Sequence, residues 1–230
     1  MAEPSSLHGL RYVLQRMVLL ALFGACVFIG AGSWTWQRGW AALVVCLVAE
    51  VIINLTLAIG APETLKQRGS PHDGVKPFDA FFAGAYILLS ITLGLVVGMD
   101  CVRFGWSSLP WITFGSGVGL IVLSTILGTW AMLENEHFEQ FVRIQSDRSH
   151  RVITTGPYRY VRHPGYLAAV LGTIAGPLLF GSLWSSVPAC LLLALFVWRT
   201  HREDATLLEA LDGYEDYAEE TRYRLFPFVW

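Results

Sequence analysis

YLAAVLGTIAGPLLFGSLWSSVPACLLLALFVW, residues 166–198, decides how this chain folds. Thirty-three residues pass without a charge. That is too many for one ordinary membrane span and somewhat few for two, since a helix crosses the hydrocarbon core in about 20 residues. Gly172, Gly176-Pro177 and Gly181 fall in its middle, where a proline removes a helical hydrogen bond and clashes with the preceding turn. The stretch reads as a hairpin of two shorter helices turning near Gly176 to Ser185. Its turn must be screened by protein or lie near the far interface.

Four longer apolar runs precede it: Tyr12 to Ser33, Trp40 to Ile59, Asp79 to Met99 and Leu109 to Leu133. Each is long enough to span a bilayer. The first reaches Trp34 with no polar cleavage region and reads as a retained membrane helix. With 54% hydrophobic and 15% charged residues, and a mean hydropathy of +0.50, the chain is not a soluble or disordered one. Its 16 basic and 18 acidic residues lack the cationic surplus of a nucleic-acid binder. Cys26, Cys46, Cys101 and Cys190 form no CxxC and no Cys/His pairing, so no metal site is expected.

Charge orients the bundle. Arg11, Arg16, Lys66, Arg68, Lys76, Arg143, Arg148, Arg151, Arg159, Arg162, Arg199, Arg202, Arg222 and Arg224 fall on one side if the hairpin returns the chain, against only Arg38 and Arg103 on the other. This bias predicts a cytosolic N-terminus, motif loop and tail. Gly60 to Phe78, rich in turn-forming pairs, reads as a connector in preference to a surface lid.

The polar residues concentrate in Glu134 to Pro164 and Arg199 to Trp230, on either side of the hairpin. Glu134 to His137 read as a solvated helix end, and His150 to Thr155 as an extended, β-branched segment closed by Gly156-Pro157. Pro164 pushes His163 off helical dihedrals and bends the backbone at the hairpin mouth. Tyr158 and Arg159 suit interfacial anchoring as well as binding. Arg199 and Glu203, four apart, share a helical face and are expected to pair on a short amphipathic helix with Leu207, Leu208 and Leu211, ended by Gly213. Glu50, with Asn54 four residues on, sits halfway through the second run with no local cation. A carboxylate there marks either packing or a polar station on a substrate route.

Two segments together resemble a known family. His150 to Tyr166, HRVITTGPYRYVRHPGY, is similar to the RHPxY signature of the isoprenylcysteine carboxyl methyltransferase and phospholipid methyltransferase superfamily. Arg199 to Leu207 resembles its second signature, an arginine followed four residues later by paired acids, with Gly213, Tyr214 and Tyr217 beyond. The resemblance covers roughly residues 134–227. It implies an all-α integral membrane protein of four N-terminal transmembrane helices, a cytosolic motif segment, a C-terminal helical hairpin and an interfacial tail helix. That is one membrane domain over 1–230, with a four-helix region over 12–133 and a cofactor-binding catalytic region over 134–230 that includes hairpin 166–198.

It further implies S-adenosylmethionine-dependent methyl transfer at the cytosolic interface to a membrane lipid or lipid-like acceptor, without a Rossmann domain and without an obligate protein partner. By resemblance, Gln145, His150, Arg151, Val152, Ile153, Tyr158, His163, Pro164, Gly165, Tyr166 and Glu203 hold the donor. Arg199 faces the acceptor, and Arg199 and Glu203 are the catalytic pair. The second acid is Asp204 where the family has glutamate, so its shorter side chain suits a salt bridge better than a ligand contact. Glu50, Asn54 and Asp204 line a candidate acceptor route. An isoprenylcysteine-like carboxylate, a phospholipid amine and a thiol all remain open as acceptors. A noncatalytic scaffold of the same fold and a small transporter are the readings from other classes.

Overall fold

The computed structural model describes residues 6–69, 76–139, 141 and 151–230. Eight α-helices account for most of them: α1 (Ser6–Ala31), α2 (Gln37–Gly60), α3 (Pro62–Gly69), α4 (Pro77–Gly98), α5 (Trp111–Glu134), α6 (Pro164–Phe180), α7 (Ser186–Ala210) and α8 (Tyr214–Glu220). A π-helical turn, Met99–Arg103, extends α4, and a 3₁₀ turn, Gly156–Arg159, precedes the hairpin mouth. Among the described residues, four helices, α1, α2, α4 and α5, are long and apolar enough to cross a membrane. Their outward faces remain apolar: Leu14, Val18, Leu22 and Ile29 on α1 and Val48, Ile52 and Leu55 on α2 are exposed. A soluble bundle puts polar side chains there.

α1 and α4 lie against each other in parallel, with Phe23 and Val27 meeting Gly94 and Gly98. A Cβ on Gly98 would strike the Val27 carbonyl, so only glycine allows this approach. α5 packs along α6, and α4 along α7. The largest core cluster, with Val27, Ala42, Val97, Leu179, Phe180 and Leu192, fills the end of the bundle away from the motifs.

The reversal falls in the later part of the Gly176 to Ser185 stretch that the sequence marks. Pro177 lies inside α6, which continues to Phe180, and the reversal occupies Gly181 to Ser185. The proline sits in the last turn, where its carbonyl takes the N–H groups of Gly181 (2.9 Å) and Ser182 (3.0 Å). The Leu178 and Leu179 carbonyls are capped by Arg38 from α2, at 2.7 and 2.8 Å. Gly181 is left-handed, and a Cβ there would lie 2.5 Å from the Arg38 Cζ.

One expectation needs correction. Residues 199–210 form no separate tail helix. They continue α7, because no breaker separates Trp198 from Arg199 and the polar residues are good helix formers. The tail helix proper is the short α8. The Gly60 to Phe78 connector holds α3, which buries Thr64 and Leu65 against α1 and sets Arg68 over the rings of Tyr12 and Phe138.

Candidate active site

The segment after α5, the start of α6 and the second half of α7 meet at one end of the bundle. They are held there by a carboxylate that the sequence marked only as a lesser acid. Asp204 is fully buried. It takes two hydrogen bonds from Arg162 (2.8 and 2.9 Å), one from Arg224 (2.7 Å), one from Tyr214 (2.9 Å) and a contact with the His163 Nε2 (3.1 Å). Arg162 also donates to the carbonyls of Ala218, Thr221 and Arg222. The backbone N–H groups of Arg162 and His163 donate to Tyr223 (2.8 Å) and Arg224 (3.0 Å). Burial opposes ionisation of Asp204, but the hydrogen bonds from His163, Arg162 and Arg224 outweigh it and hold its carboxyl far below the ordinary range. Asp204 is thus a fixed anion that ties three distant segments together. It does not line the cavity beside it.

That cavity, about 1550 Å³, runs from this polar end between α1, α2, α4, α5 and α6. At its polar end, the Tyr166 hydroxyl donates to Glu203, whose other oxygen lies 3.8 Å from the His163 Nδ1. His163 has φ −125° and ψ 63°, and Pro164 opens α6, as the bend at the hairpin mouth requires. Val152 and Ile153 pack with Tyr158, Leu207, Leu211, Tyr214 and Tyr217 to form an apolar shelf. The Tyr158 hydroxyl accepts from Asn135 (3.1 Å), and its carbonyl accepts from Tyr217 (2.8 Å). Burial pushes the phenols of Tyr158, Tyr214 and Tyr217 up, so they stay neutral donors at physiological pH. Arg151 stands at the rim, its side chain 72% exposed, and pairs with Glu136.

Arg199 pairs across helices with Asp79 on α4 (3.0 Å), where the sequence suggested Glu203. Its guanidinium lies over the rings of Phe82 (4.2 Å) and Tyr166 (5.5 Å). Asp79 escaped the sequence reading because an acid in the first turn of a helix ordinarily serves the helix dipole. Farther along, Glu50 is not isolated: Arg16 of α1 donates to it through Nε (3.1 Å) and Nη2. These two residues come from different runs, so no local spacing reveals the pair. Asn54 is buried, donates to the Glu50 carbonyl (2.7 Å) and does not line the cavity.

Eleven of the residues singled out by sequence therefore share one cavity wall: Glu50, Arg151, Val152, Ile153, Tyr158, His163, Pro164, Gly165, Tyr166, Arg199 and Glu203. Gln145 and His150 lie outside the described residues. Arg16, Asp79 and Phe138 join the wall without having been foreseen.

Residues 117–209 match the family described as the isoprenylcysteine carboxyl methyltransferase (ICMT) family. The chain is similar to the protein-S-isoprenylcysteine O-methyltransferase of Schizosaccharomyces pombe, 29% identical over 112 residues that make up 46% of this chain and 46% of that protein. It is likewise similar to a probable protein-S-isoprenylcysteine O-methyltransferase of Oryza sativa subsp. indica, 25% identical over 122 residues, 52% of this chain and 63% of that protein. The chain thus spans about half the length of the relatives it matches.

Proposed function

We infer the activity from one premise: the chain belongs to the isoprenylcysteine carboxyl methyltransferase family. On this reading it is a membrane methyltransferase that uses S-adenosylmethionine and methylates the carboxylate of a lipid-like, isoprenylcysteine-like acceptor. The observation that carries the reading is the convergence of His163 and Tyr166 from one signature with Glu203 and Arg199 from the other, on a cavity that continues between apolar helices.

The donor set fits the proposed donor. S-adenosylmethionine, when bound, supplies a methyl group already activated by its sulfonium. Glu203, among the faces of Tyr158, Tyr166 and Tyr214, offers negative charge and electron-rich rings to a cation. Val152 and Ile153 give a flat apolar shelf suited to an adenine ring, and Arg151 at the rim suits a carboxylate. Arg199, held by Asp79 and stacked on Phe82, presents a planar fork that orients the acceptor carboxylate. Glu203 and the tyrosines would hold the donor and Arg199 the acceptor carboxylate, to which the donor would supply its methyl group with no proton to remove. Alignment and exclusion of water are then the protein's main contribution.

Asp204, clamped by two arginines and off the cavity wall, offers no base to an amine acceptor, whereas Glu203 on the wall is the carboxylate such an acceptor would need. The same reading places α6 and the first half of α7 as a hairpin entering the membrane from the motif side, with α8 at the interface. The basic bias makes that side cytosolic. The polar donor then arrives from the cytosol and the acceptor from the bilayer, within one domain over 1–230 whose catalytic region is 134–230.

The test is a labelled methyl-donor assay on the purified protein, offering thioether-linked prenyl carboxylates, phospholipid amines and thiols. Saturable donor binding with label in a base-labile ester is expected. Absence of saturable binding by folded protein would return the chain to the noncatalytic scaffold, and label in an amine or thiol would displace the carboxylate.

A further inference from the structure

Between its ends the cavity wall is mostly apolar, with the hydroxyls of Tyr86, Ser90 and Thr125 along it and one ion pair, Arg16 with Glu50. α1 and α4 are parallel, with Phe23 beside Gly94, Val27 beside Gly98 and Gly30 beside Leu95. That register brings Arg16 level with the Ala83 to Ile87 turn of α4, roughly 6–12 Å deeper along the helix than Asp79 and its partner Arg199. The surrounding wall is Leu20, Phe23, Ile53, Ala83 and Ile87, with Tyr12 and Tyr86 also beside Arg16. Within it, Arg16 and Glu50 both face the cavity, their side chains 36% and 16% exposed.

The pair leaves a donor to spare. Glu50 engages Nε and Nη2 of Arg16. Nη1, which carries two N–H groups, takes no partner among the described residues and is accessible. A tie serving only to bind α1 to α2 needs no third nitrogen on an open wall. The positive charge is already matched by Glu50, so an anion arriving at Nη1 would face a carboxylate. A neutral oxygen suits the open donor. A plain hydrocarbon chain lying there would strip water from Nη1 and return no hydrogen bond.

We propose that the acceptor carries a neutral oxygen, a hydroxyl or carbonyl, on its apolar chain, and that Arg16 held by Glu50 recognises it. The proposal rests on the methyl-transfer reading above and adds to it: Arg199 takes the reacting carboxylate, and Arg16 selects the chain. Arg16 is a specificity-determining residue, and Glu50 positions it.

The test uses pairs of thioether carboxylates of equal chain length, one plain and one with a hydroxyl moved along the chain, in methyl transfer by the full-length protein. A second arm measures displacement of a fluorescent lipid by the matching chains lacking the carboxylate, which reads the Arg16 station without turnover. The best hydroxylated isomer should exceed its plain partner about tenfold in kcat/KM and in displacement. That ratio should fall toward one in the double variant Arg16→Met/Glu50→Met, which removes both charges together. Should the double variant fail to fold, Arg16→Lys serves, with a point charge in place of the fork and a reduced ratio. Equal handling of both chains by the wild type, or a preference that survives in the variants, overturns the proposal. Methyl transfer without chain preference sinks this inference alone. Chain preference in displacement without any methyl transfer sinks the activity and leaves the station standing.

Discussion

Asp204 and Asp100 are both fully buried carboxylates, at opposite ends of α7, and their surroundings differ in kind. Asp204 is compensated by charge, with Arg162, Arg224 and His163 around it. Asp100 is met by the hydroxyls of Ser107 and Ser182 (2.6 Å for Ser182) and the Trp184 N–H (3.1 Å). The two cations at the Asp100 end are engaged elsewhere: Arg38 by the carbonyls at the end of α6 and the Thr113 hydroxyl (2.8 Å), and Arg103 by the Ile29 carbonyl (2.8 Å). The difference follows from what each end must do. The Asp100 end closes over a packed core, and neutral donors suffice there even though Ser182 and Trp184 lie 82 and 84 residues away. The Asp204 end borders an open cavity, where the apolar shelf around Tyr158 and Tyr217 is supplemented by a cluster of ions.

Removing each carboxylate tests that contrast. Asp204→Ala leaves two guanidinium groups without their buried partner and should lower stability by about 3–5 kcal/mol, read as a fall in the unfolding midpoint of detergent-solubilised protein. A loss below about 1 kcal/mol would mean that the cluster is not what holds this end. The same group predicts a pH dependence. Its folded pKa lies below the unfolded value, so its stabilisation is complete above about pH 4 and fades as acid protonates the unfolded chain first. The gap between wild type and Asp204→Ala should shrink by about 1 kcal/mol from pH 6 to pH 3. A gap that widens in acid contradicts the assignment.

At the other end, Asp100→Asn keeps an oxygen for its donors and should cost about 1–2 kcal/mol, less than Asp204→Ala by the same midpoint measurement. Gly181→Ala forces a left-handed alanine against Arg38 and should cost about 1–2 kcal/mol, with no change in donor affinity if the ends are independent. Glu203→Gln should have the smallest effect on stability and the most selective one on function: S-adenosylmethionine binding weakened several-fold by calorimetry, the unfolding midpoint unmoved. If binding is unchanged, Glu203 leaves the proposed donor site.

The four long helices were legible to within a few residues because a span announces itself in one continuous run of sequence. The break between α6 and α7 was legible only to within Gly176 to Ser185, and it lies at Gly181 to Ser185. Pro177 looked decisive, and the outcome depended on Arg38, whose approach to α6 no local pattern encodes. The signature residues named the polar end of the cavity because Pro164 and the Arg199–Glu203 spacing are local. The ion pairs were not legible. Asp79 with Arg199 and Arg16 with Glu50 each join separate helices, and the i,i+4 rule that suggested Arg199 with Glu203 cannot weigh a partner from across the bundle. Asp204 has the salt-bridge partners its short side chain suggested but not the place on an acceptor route also expected of it, and its hold on residues 162, 214 and 224 emerges only in three dimensions.

The backbone bonds from Arg162 and His163 to Tyr223 and Arg224 also set a clock. Some 60 residues separate donors from acceptors, which at about 5–20 residues per second is roughly 3–12 s of synthesis. Throughout that interval the spanning helices are already made, while the bend bearing His163 has nothing to lean on. A ribosome paused between these segments therefore exposes a motif segment that can already meet α5 through Tyr158 but whose Arg162 and His163 lack both Asp204 and the carbonyls of Tyr223 and Arg224.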